Sequence, residues 1–592
     1  MAPSESRAWT GRDAAFAAAA AVAAVIAYLP ALGVSFTADD FFILARVRDL
    51  GGLSHPLVYF GIGFFEYYRP LAFLSQALDW QLWGMNAAGF HLTNVVLHAT
   101  TSALVFGVAR RLIDRTSALV GALLFALHPA SHEAVYWIAS RFDLLATCFT
   151  LAALICLWRD DVRWYWSGTV CFALALLSKE SALSLPVIAT ASDVILAGRD
   201  WKSAARRLVP LLLIVGAYGV LRTQGLDVSV AGGARRLPKL GMIVAALGGL
   251  LWLASARERV STSLRKAREL ASTAVPSIAV TGALAALLWL PLTRAWTREK
   301  LGFVAFVAYH SVSPVVLPPP PPYFLNETTL IYAIAGLVVV ALLTAGLRVI
   351  AQVAGEPRGL FLLVFIVAAL IPVSSMTGGA RYLYLASVGV SILGGLAFAA
   401  ARASARWRSL AAPAAILLLA VSAEQMVAAS RAWTWASGMT REGLALMTSD
   451  LAPCGTRDVV LLTAPVGIRG TYCNFLWEGF GLTSPCAPAT FRTLLRVVRE
   501  DVEVAVTPAG GGRLELRIPR YRGNVLASTD LSTFPVWVAR GRTTGVTTPI
   551  GTVGARPDGD AEVFRIQLDP ALADARLYYY SAGRIHAVAS VR

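Results

Sequence analysis

Two adjacent carboxylates, Asp39 and Asp40, stand just past the first apolar run, in the stretch Val34-Ser-Phe-Thr-Ala-Asp-Asp-Phe-Phe42. Carboxylates set among aromatic residues at a membrane surface are suited to taking a proton from a hydroxyl. Repulsion between the neighbours and nearby low-dielectric lipid both favour the neutral form, which raises a carboxyl pKa toward the working range. On an extended segment, successive side chains point to opposite sides, so one of the two is expected to face a given substrate oxygen. Asp40, beside Phe41 and Phe42, is slightly favoured over Asp39 as a general base. The competing reading is a solvated loop start with a helix-capping Asp.

Further ionisable residues fall in or beside apolar runs: Glu133 with His128 and His132, Arg141 and Asp143, Lys179 and Glu180, Asp193, Arg222 and Arg381. Charge there is costly and by default points to function. Several of these residues fall at the outer ends of spans, on the side of Asp39 and Asp40. Such a cluster suits a substrate that is both anionic and anchored in lipid, with Arg and Lys holding a phosphate. Each member also has a structural reading. Lys179 and Arg222 can snorkel to the interface, Arg141 and Asp143 can pair with each other, and Asp193 reads first as a buried helix-packing group. His128 and His132 have the i,i+4 spacing of metal ligands. Pro129 breaks a helix through His128, however, and the order is not His-Glu-x-x-His, so no metal site is assigned. Tyr67-Tyr68 and Trp164 to Trp166 read as interfacial belt residues.

The elements that must position these groups are membrane helices. The chain has 592 residues, 56% of them hydrophobic and 15% charged, against roughly 25% charged in soluble domains. Apolar runs of roughly 17–25 residues, each long enough to cross a bilayer, recur along it. The expected fold is an all-α polytopic membrane protein with about 13 transmembrane helices, an odd number because the two ends are placed on opposite sides. The net charge of +16 comes from 52 basic and 36 acidic residues. Much of the excess sits in short loops at 110–115, 199–207 and 402–408, where topology and anionic headgroups account for it. There is no nucleic-acid motif.

Arg7 and Arg12 precede the first span, 14–32, which reads as an uncleaved helix. The N-terminus is therefore expected in the cytoplasm and the acidic pair outside. The stretch between 225 and 322 is hard to divide into spans, and the polyproline run within 314–322 cannot continue a helix. From 433 onward the composition changes. Val459-Val-Leu-Leu, Glu503-Val-Ala-Val, Arg513 to Ile518 and Pro535-Val-Trp-Val read as strands, with Gly510-Gly-Gly512 as a turn. The expected division is 1–432, a membrane core with its first outer loop at 33–90, and 433–592, a small β-rich or α/β extracytoplasmic domain. Cys148, Cys156 and Cys171 read as packing residues. Cys454, Cys473 and Cys486 lie in the tail, and Cys473–Cys486 is the pairing expected in an oxidising compartment.

Taken together, Asp39-Asp40, Tyr68-Arg-Pro-Leu71, Gly89-Phe-His-Leu-Thr-Asn-Val-Val-Leu-His98, His128-Pro-Ala-Ser-His-Glu-Ala-Val135, Ser140-Arg-Phe-Asp-Leu-Leu145 and Leu177-Ser-Lys-Glu-Ser181 resemble the membrane core of TMTC-type protein O-mannosyltransferases and their bacterial relatives. These belong to the GT-C superfamily. Asp193, Arg222 and Arg381-Tyr-Leu-Tyr-Leu-Ala-Ser-Val-Gly389 continue the pattern in order. The resemblance covers most of 35–389 and weakens between 225 and 322. It implies a sugar donor on a polyprenyl phosphate and chemistry on the outer face. It also implies Asp39 or Asp40 as the base, with Arg381 and Lys179 touching the phosphate. Glu180, Arg69, His91, Glu133, His132, Arg141 and Tyr382 are the further donor- or substrate-binding candidates. The tail departs from the family, whose members continue into tetratricopeptide repeats.

The expected function is transfer of mannose or a similar hexose from that donor to a protein, lipid or glycan hydroxyl, with inversion. The expected setting is a bacterial inner membrane, which the Ala, Arg and Gly bias suits. No cofactor is assigned, and a divalent metal is left open. The rival readings are a polysaccharide polymerase or ligase with a lipid-pyrophosphate donor, and a transporter or flippase of lipid-linked sugar. A transporter would show charges at the midplane and repeats in two halves, and neither pattern is seen.

Overall fold

The computed structural model describes residues 9–61, 67–225, 356–373, 379–451, 458–465, 467–468, 471–472, 491–497, 503–519, 525–527, 536–538, 546–548, 550–559 and 561–588. Its first part is helical throughout: α1 (Gly11–Tyr28), α2 (Asp39–Asp49), α3 (Val58–Gly61), α4 (Pro70–Trp83), α5 (Ala87–Leu112), α6 (Arg115–Ala126), α7 (His132–Tyr136), α8 (Arg141–Leu157), α9 (Val162–Ser178), α10 (Leu185–Ala191), α11 (Trp201–Gly225), α12 (Pro357–Leu370), α13 (Tyr384–Ala403) and α14 (Arg408–Asp450). Among the described residues, 6 helical stretches are long and apolar enough to cross a bilayer. A bent pair, Arg115–Ala126 with Pro129–Tyr136, makes up to 7. The bend, 47°, falls at Pro129, which has no N–H to give the helix. The His128 ring caps the turn that follows, its Nδ1 accepting the Ala130 N–H at 3.2 Å. Residues 226–322, the stretch expected to be hard to divide into spans, lie outside the described residues, and the polyproline run lies with them.

Ion pairs show which helix ends share a level. Asp13, at the start of α1, accepts Arg110 Nε at 2.7 Å from the end of α5 and Arg115 Nε at 2.8 Å from the start of α6. Asp193 holds Arg199 at 3.1 Å and Arg207, near the start of α11, at 2.9 Å. Asp193 is thus a helix-packing group at the end remote from the acidic pair. Arg402, at the end of α13, reaches Asp114. Small residues let α6 and α13 cross closely: a Cβ on Gly395 would stand 2.6 Å from the Ser117 carbonyl oxygen.

The expected first outer loop is largely helical. The acidic pair opens α2, where carboxylates are favoured by the positive end of the helix dipole. Pro70 opens α4, where a missing N–H costs nothing. At its other end the chain is β-structured. One sheet runs β13-β12-β1-β4-β7-β8 and a second runs β5-β6-β11-β10-β9. Here β1 is Val459–Pro465, β4 Phe491–Val497, β5 Ala505–Gly510, β6 Arg513–Pro519, β7 Val525–Ala527, β8 Val536–Val538, β9 Val546–Thr548, β10 Gly551–Asp558, β11 Ala561–Leu568, β12 Arg576–Ser581 and β13 Arg584–Ala587. A third, two-stranded sheet pairs β2 (Gly467–Ile468) with β3 (Thr471–Tyr472).

Strand β1 runs parallel to both its neighbours, β12 and β4. The read turn at 510–512 joins β5 to β6, and all three glycines have positive φ. Helix α14 passes unbroken through Trp433, where the second unit was expected to begin. The cysteines expected to pair, Cys473 and Cys486, lie outside the described residues, as does Cys454. Cys148, Cys156 and Cys171 are free thiols.

Candidate active site

At the end opposite the Asp13 cluster, the helices leave a cleft with a cavity of about 130 Å³. Its walls come from segments far apart in sequence. Helix α2 contributes Asp39, Phe42 and Ile43, the approach to α4 contributes Tyr67 and Arg69, and Lys179 follows α9. Phe73, Trp137, Phe142, Asp143, Arg381 and Tyr382 complete the polar and aromatic lining.

The cations are tied to carboxylates. Lys179 Nζ lies 2.6 Å from both oxygens of Asp143. Arg69 donates to Glu180 Oε2 through Nε at 3.1 Å and through a terminal nitrogen at 2.9 Å. Arg222, at the end of α11, donates to the other Glu180 oxygen at 2.8 Å. Arg381 gives Glu133 its guanidinium, and also its backbone N–H at 3.2 Å. Charges removed from water this far need such partners. Burial pushes the Glu180 carboxyl up, but Arg69 and Arg222 more than offset it and hold it at about 2. Burial lowers Lys179 to about 8, and the Arg69 and Arg381 charges act the same way against Asp143. Aromatic faces fix the cations further. The Arg69 guanidinium lies 4.1 Å from the Tyr67 ring centre, Arg381 lies 4.6 Å from Trp137, and Lys179 lies 4.8 Å from Tyr382.

The acidic pair is split by the helix. Asp40 is 1% exposed, and its two oxygens accept the Thr37 N–H at 2.9 Å and the Ala139 N–H at 2.8 Å. Burial raises it to about 8, with those two donors pulling the other way. Asp39 is solvent-exposed and lines the cleft. The pair was expected on an extended segment with Asp40 slightly favoured. In the helical turn it is Asp39 that faces the cavity.

Besides Asp40 and Glu180, four expected candidates lie behind the cleft and not on it. Arg141 is fully buried, paired with Asp79 and donating to Asn94 Oδ1 at 2.9 Å and the Phe90 carbonyl at 2.9 Å. Its expected pairing with Asp143 is thus corrected, since Asp143 belongs to Lys179. His91 is buried. His132 Nδ1 accepts the Trp433 indole N–H at 3.1 Å, which ties α7 to α14. Glu133 is buried beneath Arg381 and touches it alone among the cleft cations. No group of three or more His, Cys, Asp or Glu that could hold a metal occurs among the described residues.

The sequence reading missed Trp137 and Phe142 as cleft residues and treated Tyr67-Tyr68 as a belt. Tyr67 supports Arg69, and Tyr68 is buried, donating to the Phe60 carbonyl at 2.9 Å. The signal available for Tyr67 was an aromatic two residues from an arginine.

Residues 68–221, which span most of this site, match the family described as dolichyl-phosphate-mannose-protein mannosyltransferase. The chain resembles GT-C-type protein O-mannosyltransferases. It is 34% identical over 209 residues to protein O-mannosyl-transferase Tmtc1 of Drosophila melanogaster, covering 33% of this chain and 24% of that protein. It is 34% identical over 137 residues to protein O-mannosyl-transferase TMTC3 of Mus musculus, covering 22% and 15% respectively. The chain thus matches a quarter or less of the length of these two relatives. Among solved structures it is similar to ArnT from Cupriavidus metallidurans, with 12% identity and a TM-score of 0.43 over 81% of this chain and 85% of that one.

Proposed function

We propose that the protein is a membrane glycosyltransferase that moves a hexose such as mannose from a polyprenyl-phosphate donor to a hydroxyl on a protein, lipid or glycan. The observation that carries this reading is the cleft itself, where an exposed carboxylate, Asp39, shares one cavity with Arg69, Lys179 and Arg381. Asp39 accepts the acceptor proton as the acceptor oxygen bonds to the anomeric carbon. The bond from that carbon to the phosphate oxygen breaks, and the electron pair leaves with the lipid phosphate. A single displacement inverts the anomeric centre.

A phosphodiester carries one negative charge, and the departing monoester carries about −1.5 to −2 at neutral pH. Cations fixed before the reaction therefore stabilise the departing group more than the bound donor, which is what lowers a barrier. Arg69, Lys179 and Arg381 are that set. Glu133, Glu180 and Asp143 hold them in place, and Tyr382 and Trp137 form the cavity wall beside them.

Asp40 is the positioning partner. It joins the segment before α2 to the turn before α8 through two backbone N–H groups. The basic end of the bundle is cytoplasmic, and the cleft and β unit are extracytoplasmic, in a bacterial inner membrane. The chain divides at about 433 into a membrane core and a tail. The test is sugar transfer by purified protein supplied with polyprenyl-phosphate mannose and, in parallel, a polyprenyl-pyrophosphate oligosaccharide. Transfer only from the pyrophosphate would replace this reading with that of a polymerase or ligase.

A further inference from the structure

The six-stranded sheet is buried on both faces along β1 and β12, and the two faces have different partners. Along β1, Val460 and Leu462 join the core shared with the five-stranded sheet. Val459 and Leu461, which alternate with them, join a separate cluster that contains Phe41 and Leu44 of α2 and Met447 of α14. Strand β12 repeats the alternation, with Leu577 on one side and Tyr578 and Tyr580 on the other. Tyr578 also donates to Asp450 Oδ2 at 2.8 Å, at the end of α14. Period two on a strand buried on both faces makes the sheet a middle layer, with the membrane helices as one of its covers.

Helix α2 is divided in the same way. Asp39, Phe42 and Ile43 face the cleft, whereas Phe41 and Leu44 lie in the cluster with the sheet. The spacings i, i+3 and i, i+4 put each set on its own face of one short helix. The helix is only 11 residues long and is too short to hold a position by itself. Its place is set by Asp40 at one end, by Ile43 and Val47 packing into the helical core with α4, and by the apolar seam along its back.

We infer that the C-terminal β unit positions the acidic helix, so that Leu461, Tyr578 and Tyr580 act as positioning residues for Asp39. The inference rests on the assignment of Asp39 as the base, but the seam itself can be tested without it. The chemical reason is direct. A helix displaced by an ångström moves the base relative to the acceptor oxygen, and misplacement on that scale can cost on the order of 10²-fold in rate. The β unit then contributes to catalysis without touching the substrate.

Leu461 and Leu462 make a matched pair, since they are adjacent, equally buried and on opposite faces. Full-length Leu461→Ala should lower kcat by about tenfold with donor Kd unchanged, and should speed hydrogen exchange in 39–49 but not in 70–83. Leu462→Ala should lower Tm comparably and leave α2 exchange and kcat as in the wild type. Should Leu461→Ala fail to fold, Leu461→Val and Tyr578→Phe carry the same comparison with smaller effects. Equal effects of the two alanine variants on α2 exchange, or no effect from the seam variants, overturns the inference. A wild-type protein that transfers no sugar sinks the functional reading alone, because the exchange measurement still decides whether the seam holds α2.

Discussion

Asp39 and Asp40 are joined by one peptide bond and meet opposite surroundings. Asp40 spends both oxygens on backbone N–H groups, while Asp39 opens onto the cavity. Asp39→Asn should therefore cost transfer about 10²- to 10⁴-fold, the usual loss of a general base, with Tm and donor binding intact. Asp40→Asn should destabilise by about 1–3 kcal/mol, because an amide cannot accept at both positions and leaves a buried N–H unmet. The pH dependence separates them further. Burial raises Asp40 from 3.8 to about 8, so its contribution to stability is complete below its unfolded pKa and is lost as pH rises through about 8. Thermal unfolding at pH 5 and pH 9 should show the Asn variant's deficit shrinking at the higher pH. Equal activity loss and equal Tm in the two Asn variants would return the pair to one shared role. Lys179 gives a second test at this scale. Burial holds it at about 8, so donor affinity should weaken as pH rises past that value. Lys179→Arg should remove this limb of the titration, since guanidinium stays charged.

At the scale of elements, the turn before α13 carries the clearest demand. Gly379 has φ +128, and a Cβ there would stand 2.9 Å from the Tyr382 ring and 3.1 Å from a guanidinium nitrogen of Arg381. Gly379→Ala should displace both side chains and weaken donor binding as Arg381→Ala does, with Arg381→Lys losing the planar fork and recovering part. Donor binding at wild-type strength in Gly379→Ala would show that the turn tolerates the strain. Much at this scale was legible from the sequence. The apolar runs gave the long helices, Pro129 gave the bend, a short apolar run gave β1, and period-two alternation gave β6. Charges stranded beside spans gave Lys179, Glu180, Glu133 and Arg381, since a lone charge there needs a reason. What could not be read was pairing. Asp79 lies 62 residues from Arg141 in sequence, and only packing of α4 against α8 reveals that it, and not Asp143, is the partner. The orientation of the acidic pair was hidden for a similar reason. It turns on whether residue 39 begins a helix, and hence on a near-100° turn per residue in place of a strand's alternation.

For the whole molecule, the charge distribution makes a prediction about sidedness. The pairs around Asp13, Asp114 and Asp193 gather arginines from helix ends that share one level, and the cleft lies at the other ends of the same helices. Basic residues in short loops set orientation by remaining in the cytoplasm, so the cleft and the β unit joined to it by the seam should both face outward. The seam ties these two statements together. Phe41 beside the cleft and Tyr578 in the tail belong to one buried cluster, so they cannot lie on opposite sides of a bilayer. Two exposed positions report this directly: Ser54, after α2, and Ala573, between β11 and β12. With the native cysteines replaced, Ser54→Cys and Ala573→Cys should both react with a membrane-impermeant maleimide in intact spheroplasts, and a cysteine at partly exposed Ser203 should react only after lysis. Labelling of Ser203→Cys alone before lysis would invert the protein and place the chemistry in the cytoplasm. Labelling of only one of the two outer sites would break the seam, and with it the continuous path from the β sheet to Asp39.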